Sequence, residues 1–448
     1  MRDFGPAEMA RRNYIFGTIR KIYEKYGFSQ IETPAMEKLE TLTGKYGDEG
    51  DKLIFKVLNS GDYLKAVKGS GTGPLELDSR NMLRLISEKA LRYDLTVPFA
   101  RYVVQYHHQI TFPFKRYQIQ PVWRADNPQH GRYREFYQCD ADVVGSPSLI
   151  NEIEFVQIFN EVLNGLRLHD FTIKINNRKI LSGMAEVMGI ADRLISFTVA
   201  LDKLDKTGKE KVLAELSEQG FDSSQLGRVE QVLDLKGSND EKLKFLRGFL
   251  QDSPTGQKGL DEMENVLQTS YEVGVQNGEV EFDMSLARGL DYYTGCIFEV
   301  KINNSGMGSI AGGGRYDDLT GIFGMPGISG VGISFGADRI YDILFKRELF
   351  PSFTNEQYRF LFLNFGEKES MHSLGIVQRL RNKGIRAAVY PDAVKIKKQM
   401  SYADAMKAEF VCTIGSDEIA NGTVGVKNMQ TGEQVSMPQE DFLKTYLV

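Results

Sequence analysis

The chain has 448 residues, 42% of them hydrophobic and 26% charged, with a formal net charge of -5; at roughly 100–200 residues per domain this fits a globular protein of two to four domains with real cores. The acidic balance gives no hint of a nucleic-acid partner but does not exclude one, because a local basic face is enough. Cys139, Cys296 and Cys412 are far apart with no C-x-x-C pair, which argues against a disulfide framework and a zinc–thiolate site.

Met1 to Phe4 opens into polar sequence without a basic stretch followed by an apolar run, so no secretory signal is expected. No uncharged apolar segment approaches ~18 residues, so no membrane span is expected either. With free thiols suited to a reducing compartment, the cytoplasm is the expected location.

Residues 7–26 have the helical period, with Met9, Tyr14, Ile15, Ile19, Ile22 and Tyr23 near one face and Gly27 as the stop. Ile31 to Ala35 is expected as a short strand carrying Pro34, as at a sheet edge or interface. The glycines of 59–80 predict a loop or irregular insert. From Phe114 to Val144 aromatic-rich alternation, broken by residues 125–131, predicts two strands around a long loop. A helix is expected over 148–168. Residues 191–275 lose most aromatics and gain Lys, Glu, Leu and Gln in helical spacing, which predicts a small helical domain between two mixed halves. Strands are expected at 280–283 and 296–302.

Residues 351–356 make a candidate linker. Beyond it, strands at 360–365, 387–390 and 410–415 alternate with helices at 374–383 and 396–408, which implies a parallel or mixed sheet with crossover helices.

The chain has neither a P-loop nor a G-x-G-x-x-G opening a helix after a strand, so any nucleotide must be held otherwise, with arginine the obvious means. Arg124, Arg132, Arg134, Arg288 and Arg339 each stand among apolar, aromatic or glycine residues. A guanidinium there needs a partner anion, which a polyphosphate could supply. Gly312-Gly313-Gly314 allows either close approach of a ligand to the backbone or a tight turn. Gly330, Gly332 and Gly336, leading into Asp338-Arg339, suggest a strand packed closely against a helix start.

The order of these segments resembles a class II aminoacyl-tRNA synthetase. Gly27 to Pro34 is similar to the first motif of that class, whose proline lies at the dimer interface. Trp123-Arg124-Ala125-Asp126 with Arg132 and Phe136 resembles the second motif, and Gly330 to Arg339 the third. Leu286 to Tyr293 and Ala311 to Asp317 resemble the two signatures of the histidyl-tRNA synthetase family. Leu91 to Tyr102 and Gly131 to Asp142 are also similar to that family.

The resemblance implies an α+β catalytic domain with a mixed or antiparallel sheet flanked by helices (1–190 and 276–348), a helical insertion (191–275) and a C-terminal α/β anticodon-binding domain (356–448). It implies L-histidine, ATP with Mg2+, and histidine tRNA as ligands, and a homodimer. Asp94, Thr96 and Gln138 are expected to face the amino acid's ammonium, and Asp142, Tyr293, Tyr292 and Tyr316 its ring. Arg124 and Arg288 are expected at the α-phosphate as the catalytic pair. Arg132 and Arg339 are expected towards the γ-phosphate, Phe136 against adenine, and Asp126 within reach of nucleotide or metal; relatives usually carry glutamate there. Gln129 and Arg134 are candidate tRNA contacts, as is the basic cluster of Lys395, Lys397, Lys398 and Gln399. No protein metal site is expected. The rival readings are a regulatory paralogue of the kind that supports ATP phosphoribosyltransferase, which usually lacks the anticodon domain, and a tRNA- or amino-acid-sensing module.

Overall fold

A computed structural model of the chain describes residues 2–44, 51–65, 67, 79–127, 131–287, 292–351 and 358–446. By its internal contacts the chain divides into Met1–Phe350 and Pro351–Val448.

The first unit is organised by an eight-stranded sheet. Its strands run in the order Ser29–Gln30, Phe114–Trp123, Glu135–Val144, Gly330–Gly336, Ala311–Tyr316, Cys296–Ile302, Phe171–Asn177 and Gly278–Phe282. Pairing is antiparallel throughout except at the two edges. Successive side chains of a strand point to opposite faces, and here the two faces have opposite chemistry. Tyr117, Cys139, Ala141, Val143, Val331, Ile333 and Phe335 turn one way into the main apolar core. The helices Pro6–Lys25, Ile150–Gly165, Arg178–Val187 and Pro254–Val273 supply apolar residues to that core. Arg116, Gln118, Gln138, Asp140, Asp142 and Ser334 occupy the alternate positions. Buried polar groups need partners or a ligand, so the face without a covering apolar layer is where a site can form.

The N-terminal helix Pro6–Lys25 starts with proline at its first turn, and Glu8 accepts from the Gly5 amide at 2.6 Å. Its buried stripe is Arg12, Ile15, Ile19 and Tyr23. Arg12 can be buried because Asp338 meets it at 2.6 Å, and Arg2 reaches the same carboxylate at 2.7 Å. This ion pair braces the start of the helix Ala337–Lys346, which carries Arg339.

The described elements between 191 and 275 are all helical, and Phe197, Leu216, Val229, Leu246 and Met263 join the same core as the sheet. The strand expected at Ile31–Ala35 lies earlier, at Ser29–Gln30, with a further one at Met36–Lys38. Thr33 and Pro34 instead offer their carbonyls to the buried guanidinium of Arg92, which takes the backbone out of any ladder. Gly312 to Gly314 is not a turn but the middle of the strand Ala311–Tyr316, paired on both sides. Much of the glycine-rich segment expected as an insert, and most of the candidate linker, lie outside the described residues; 79–86 is helical.

In the second unit a five-stranded sheet has the order Ala387–Val389, Phe360–Phe362, Phe410–Thr413, Thr423–Asn428, Gln434–Pro438. The first three strands are parallel, as expected; the last two form an antiparallel hairpin that the alternation analysis missed. Phe360 and Phe362 pack into one apolar cluster, Leu361 and Leu363 into another. A strand buried on both faces is the mark of a sheet covered on both sides.

Candidate active site

A cavity of about 470 Å³ opens on the polar face of the large sheet, within the usual range for small-molecule sites. Its lining includes Asp94, Thr96, Arg124, Asp126, Arg132, Phe136, Gln138, Asp142, Tyr292, Tyr293, Tyr316 and Arg339. Residues up to 245 positions apart in sequence, counted from Asp94 to Arg339, are thus brought to one cleft by strand order. Arg288 and Gln129 lie outside the described residues. Arg134 is exposed, its Nε donating to the Asp126 carbonyl at 3.2 Å.

At one end of the cavity are cations and an aromatic face. Arg124 lies with its guanidinium 4.2 Å from the Tyr93 ring centre and 5.2 Å from that of Phe136. Its Nε donates to the Tyr93 carbonyl at 3.1 Å. Among the described residues Arg124 has no carboxylate partner, so its charge is available to an anion. Arg339 is oriented by the carbonyls of Gly131 and Ser309. Arg132 is exposed and stands 3.7 Å from Asp126.

At the other end Arg116, Asp142, Gly332 and Gly314 form one row across four strands by ladder register. Arg116 is fully buried. Its guanidinium lies 4.1 Å over the Phe99 ring and 2.7 Å from Asp142 Oδ2, a charge contact without hydrogen-bond alignment. Tyr316 donates its hydroxyl to Asp142 Oδ1 at 2.6 Å. Burial raises the Asp142 carboxyl, while Arg116 and the Tyr316 hydroxyl pull it back towards the ionised form. Tyr316 therefore orients Asp142, and Tyr293, with Tyr292 beside it at 4.8 Å between ring centres, faces the same space.

The glycines make this row possible. A Cβ on Gly332 would fall on the Asp142 carboxylate, and one on Gly330 on the Tyr316 ring. A Cβ on Gly314 would lie 2.8 Å from Tyr293 Cδ1. They thus admit side chains to the cavity from the neighbouring chain segments.

Sequence reasoning missed Arg116, Asp140 and the anchoring hydroxyl of Ser334. The signal for Arg116 was its alternate position in a strand whose other face is apolar. In the second unit Lys395, Lys397 and Lys398 are exposed at the start of the helix Ile396–Ala405. Gln399 does not belong to that cluster: it is buried and exchanges hydrogen bonds with the Asn364 backbone at 2.8 Å. No helix among the described residues is long and apolar enough to cross a membrane.

The family described as histidyl-tRNA synthetase matches residues 75–340, and an anticodon binding domain matches 362–447. A histidine–tRNA ligase of Bacteroides fragilis is 57% identical over 447 residues, covering 99% of this chain and 96% of the relative. One of Cytophaga hutchinsonii is 56% identical, covering 97% and 95%. The crystal structure of histidyl-tRNA synthetase from Nostoc sp. PCC 7120 superposes with a TM-score of 0.78 at 32% identity, over 99% of this chain and 97% of that one. With two domain matches in order and relatives similar from end to end, the chain belongs to the histidyl-tRNA synthetase family.

Proposed function

We propose that the chain activates L-histidine with ATP, giving histidyl-adenylate and pyrophosphate, and then transfers histidine to the 3′ end of its cognate tRNA. One observation carries the reading: the cavity that holds the guanidinium groups of Arg124 and Arg339 also holds Asp142 and Tyr293. Neutral imidazole has one N–H donor and one bare nitrogen. Asp142 accepts from the first and the Tyr293 phenol donates to the second. An analogue without the ring N–H leaves the buried Asp142 Oδ2 without a hydrogen-bond donor and is bound less well.

In activation a carboxylate oxygen of histidine attacks the α-phosphorus in line. A new P–O bond forms as the bond to pyrophosphate breaks. Charge grows on the phosphoryl oxygens, so positioned cations supply most of the catalysis. Arg124 grips the α-phosphate, and Arg288 is the second arginine of the catalytic pair. Arg132 and Arg339 take the γ-phosphate end, and Phe136 stacks on adenine. Asp94, Thr96 and Gln138 hold the ammonium.

Among the described residues no three His, Cys, Asp or Glu side chains are grouped to hold a metal ion. The donor set suits Mg2+ carried mainly by phosphate oxygens, with Asp126 of the cavity lining the acid that would reach it. Mg2+ held there would supply positive charge against the triphosphate.

The division into a catalytic domain (1–190 and 276–348), a helical insertion (191–275) and an anticodon-binding domain (356–448) belongs to the same reading. So do a homodimer, a cytoplasmic location, and tRNA contacts at Gln129, Arg134, Lys395, Lys397 and Lys398. The anticodon-domain match favours this activity over a regulatory paralogue. The test is histidine-dependent ATP–pyrophosphate exchange followed by charging of histidine tRNA. Exchange without charging would confine the activity to the first step; neither would end the proposal.

A further inference from the structure

Five carboxyl groups line the cavity, those of Asp94, Asp126, Asp140, Asp142 and Asp338, and Asp140 has no part in the roles above. It is 1% exposed. It occupies the polar face of Glu135–Val144 between Gln138 and Asp142, with Ser334 and Gln118 as its cross-strand neighbours. The Gln138 amide is anchored through Nε2, which donates to Ser334 Oγ at 2.9 Å. That leaves Gln138 Oε1 buried without a donor among the described residues, and Asp140 Oδ1 is in the same condition. Two orphaned acceptors at alternate positions of one strand are costly and call for a common donor.

The charge balance says what kind of donor. The guanidinium against this row is Arg116, and it already stands 2.7 Å from Asp142. Asp140 must share that cation with another carboxylate, and the Asp94 charge adds to the repulsion. Burial pushes Asp140 up to about 7, against the pull of Arg116. A cation arriving among Asp94, Gln138 and Asp140 would relieve both the orphaned oxygens and the uncompensated charge. Histidine at neutral pH carries one full positive charge, its α-ammonium, whose three N–H groups need several acceptors. The ring is accounted for one step along the strand, at Asp142. We propose that Asp140 is a direct ligand of the substrate's α-ammonium, acting with Asp94, Thr96 and Gln138; this rests on the reading of the cavity as a histidine site.

Calorimetric titration of the full chain with L-histidine and with imidazole-4-propionate, which keeps ring and carboxylate but lacks the ammonium, tests it. Asp140→Asn should weaken histidine by about 10- to 100-fold, the range for a hydrogen bond to a charged group. It should leave imidazole-4-propionate within about twofold. Asp140→Ser, which removes the carboxyl by a different shape change, should show the same selectivity. Equal weakening of both ligands, or of neither, overturns the proposal. Wild-type chain that binds no histidine would instead refute the parent reading and take this inference with it.

Discussion

Replacing Gly332 by alanine isolates the role of the row Arg116–Asp142–Gly332–Gly314. The backbone at 332 has no positive φ, so alanine carries no conformational penalty there. The added methyl group, however, would approach Asp142 Oδ1 and Cγ well inside the 3.0 Å that real Cβ atoms keep. Something must move, and Asp142 is held on one oxygen by Tyr316 at 2.6 Å and on the other by Arg116 at 2.7 Å. Moving it forfeits at least one charge-assisted contact, worth ~1.5–3 kcal/mol. If that loss appears in histidine binding, the KM for histidine rises by about 10- to 150-fold. The KM for ATP should change little, because Arg124 and Phe136 belong to the other end of the cavity. The assay is histidine-dependent pyrophosphate exchange with each substrate varied in turn. Gly17→Ala is the control: its Cβ meets nothing within 4 Å, and it lies exposed inside a helix. That change should stabilise by up to ~1 kcal/mol and leave both KM values alone. A Gly332→Ala enzyme with normal histidine KM would refute the claim that the glycines exist to seat Asp142.

Arg315 meets Glu152 with two contacts, at 2.5 and 2.6 Å, and both side chains are nearly or fully buried; Arg315→Met strands the carboxylate and should cost about 3–5 kcal/mol, read as a lower unfolding midpoint. Asp140 is raised from 3.8 to about 7, so the folded chain binds a proton more readily than the unfolded one, and stability falls as pH rises through that window. Asp140→Asn should therefore gain thermal stability over wild type at pH 8 and lose most of that advantage at pH 5; an equal gain at both would contradict it. Changing Lys395, Lys397 and Lys398 together to alanine should weaken tRNA binding and flatten its log–log salt dependence by about two units; an unchanged slope would remove these lysines from the interface.

How far the sequence alone reached depended on the kind of information needed. The helix 6–25 and the strands around 114–123 and 135–144 were legible because apolar period and polar break agree. Most of the cavity lining was legible through motif resemblance, since Arg124, Phe136, Tyr293 and Arg339 each sit in a distinctive run. What periodicity cannot supply is register. Alternation places Arg116 and Asp142 each on a polar face, but only the pairing of strands sets them opposite one another. Asp140 escaped for the same reason: its meaning depends on Ser334 beyond it and on Gln138 beside it. Gly312 to Gly314 left turn and ligand approach both open because glycine is a poor strand former. What the run must clear is distant in sequence: a Cβ on Gly313 would meet the backbone of Gly332 and Ile333, and one on Gly314 the Tyr293 ring. Gln399 was grouped with the lysines by adjacency, while helical geometry turns it inward to Asn364.

A crystal structure of the full chain with a non-hydrolysable histidyl-adenylate analogue tests the convergence of these groups most directly. The account predicts the phosphate mimic against Arg124, adenine on Phe136, and the imidazole between Asp142 and Tyr293. An analogue seated elsewhere, or one whose ring leaves Asp142 untouched, would contradict it.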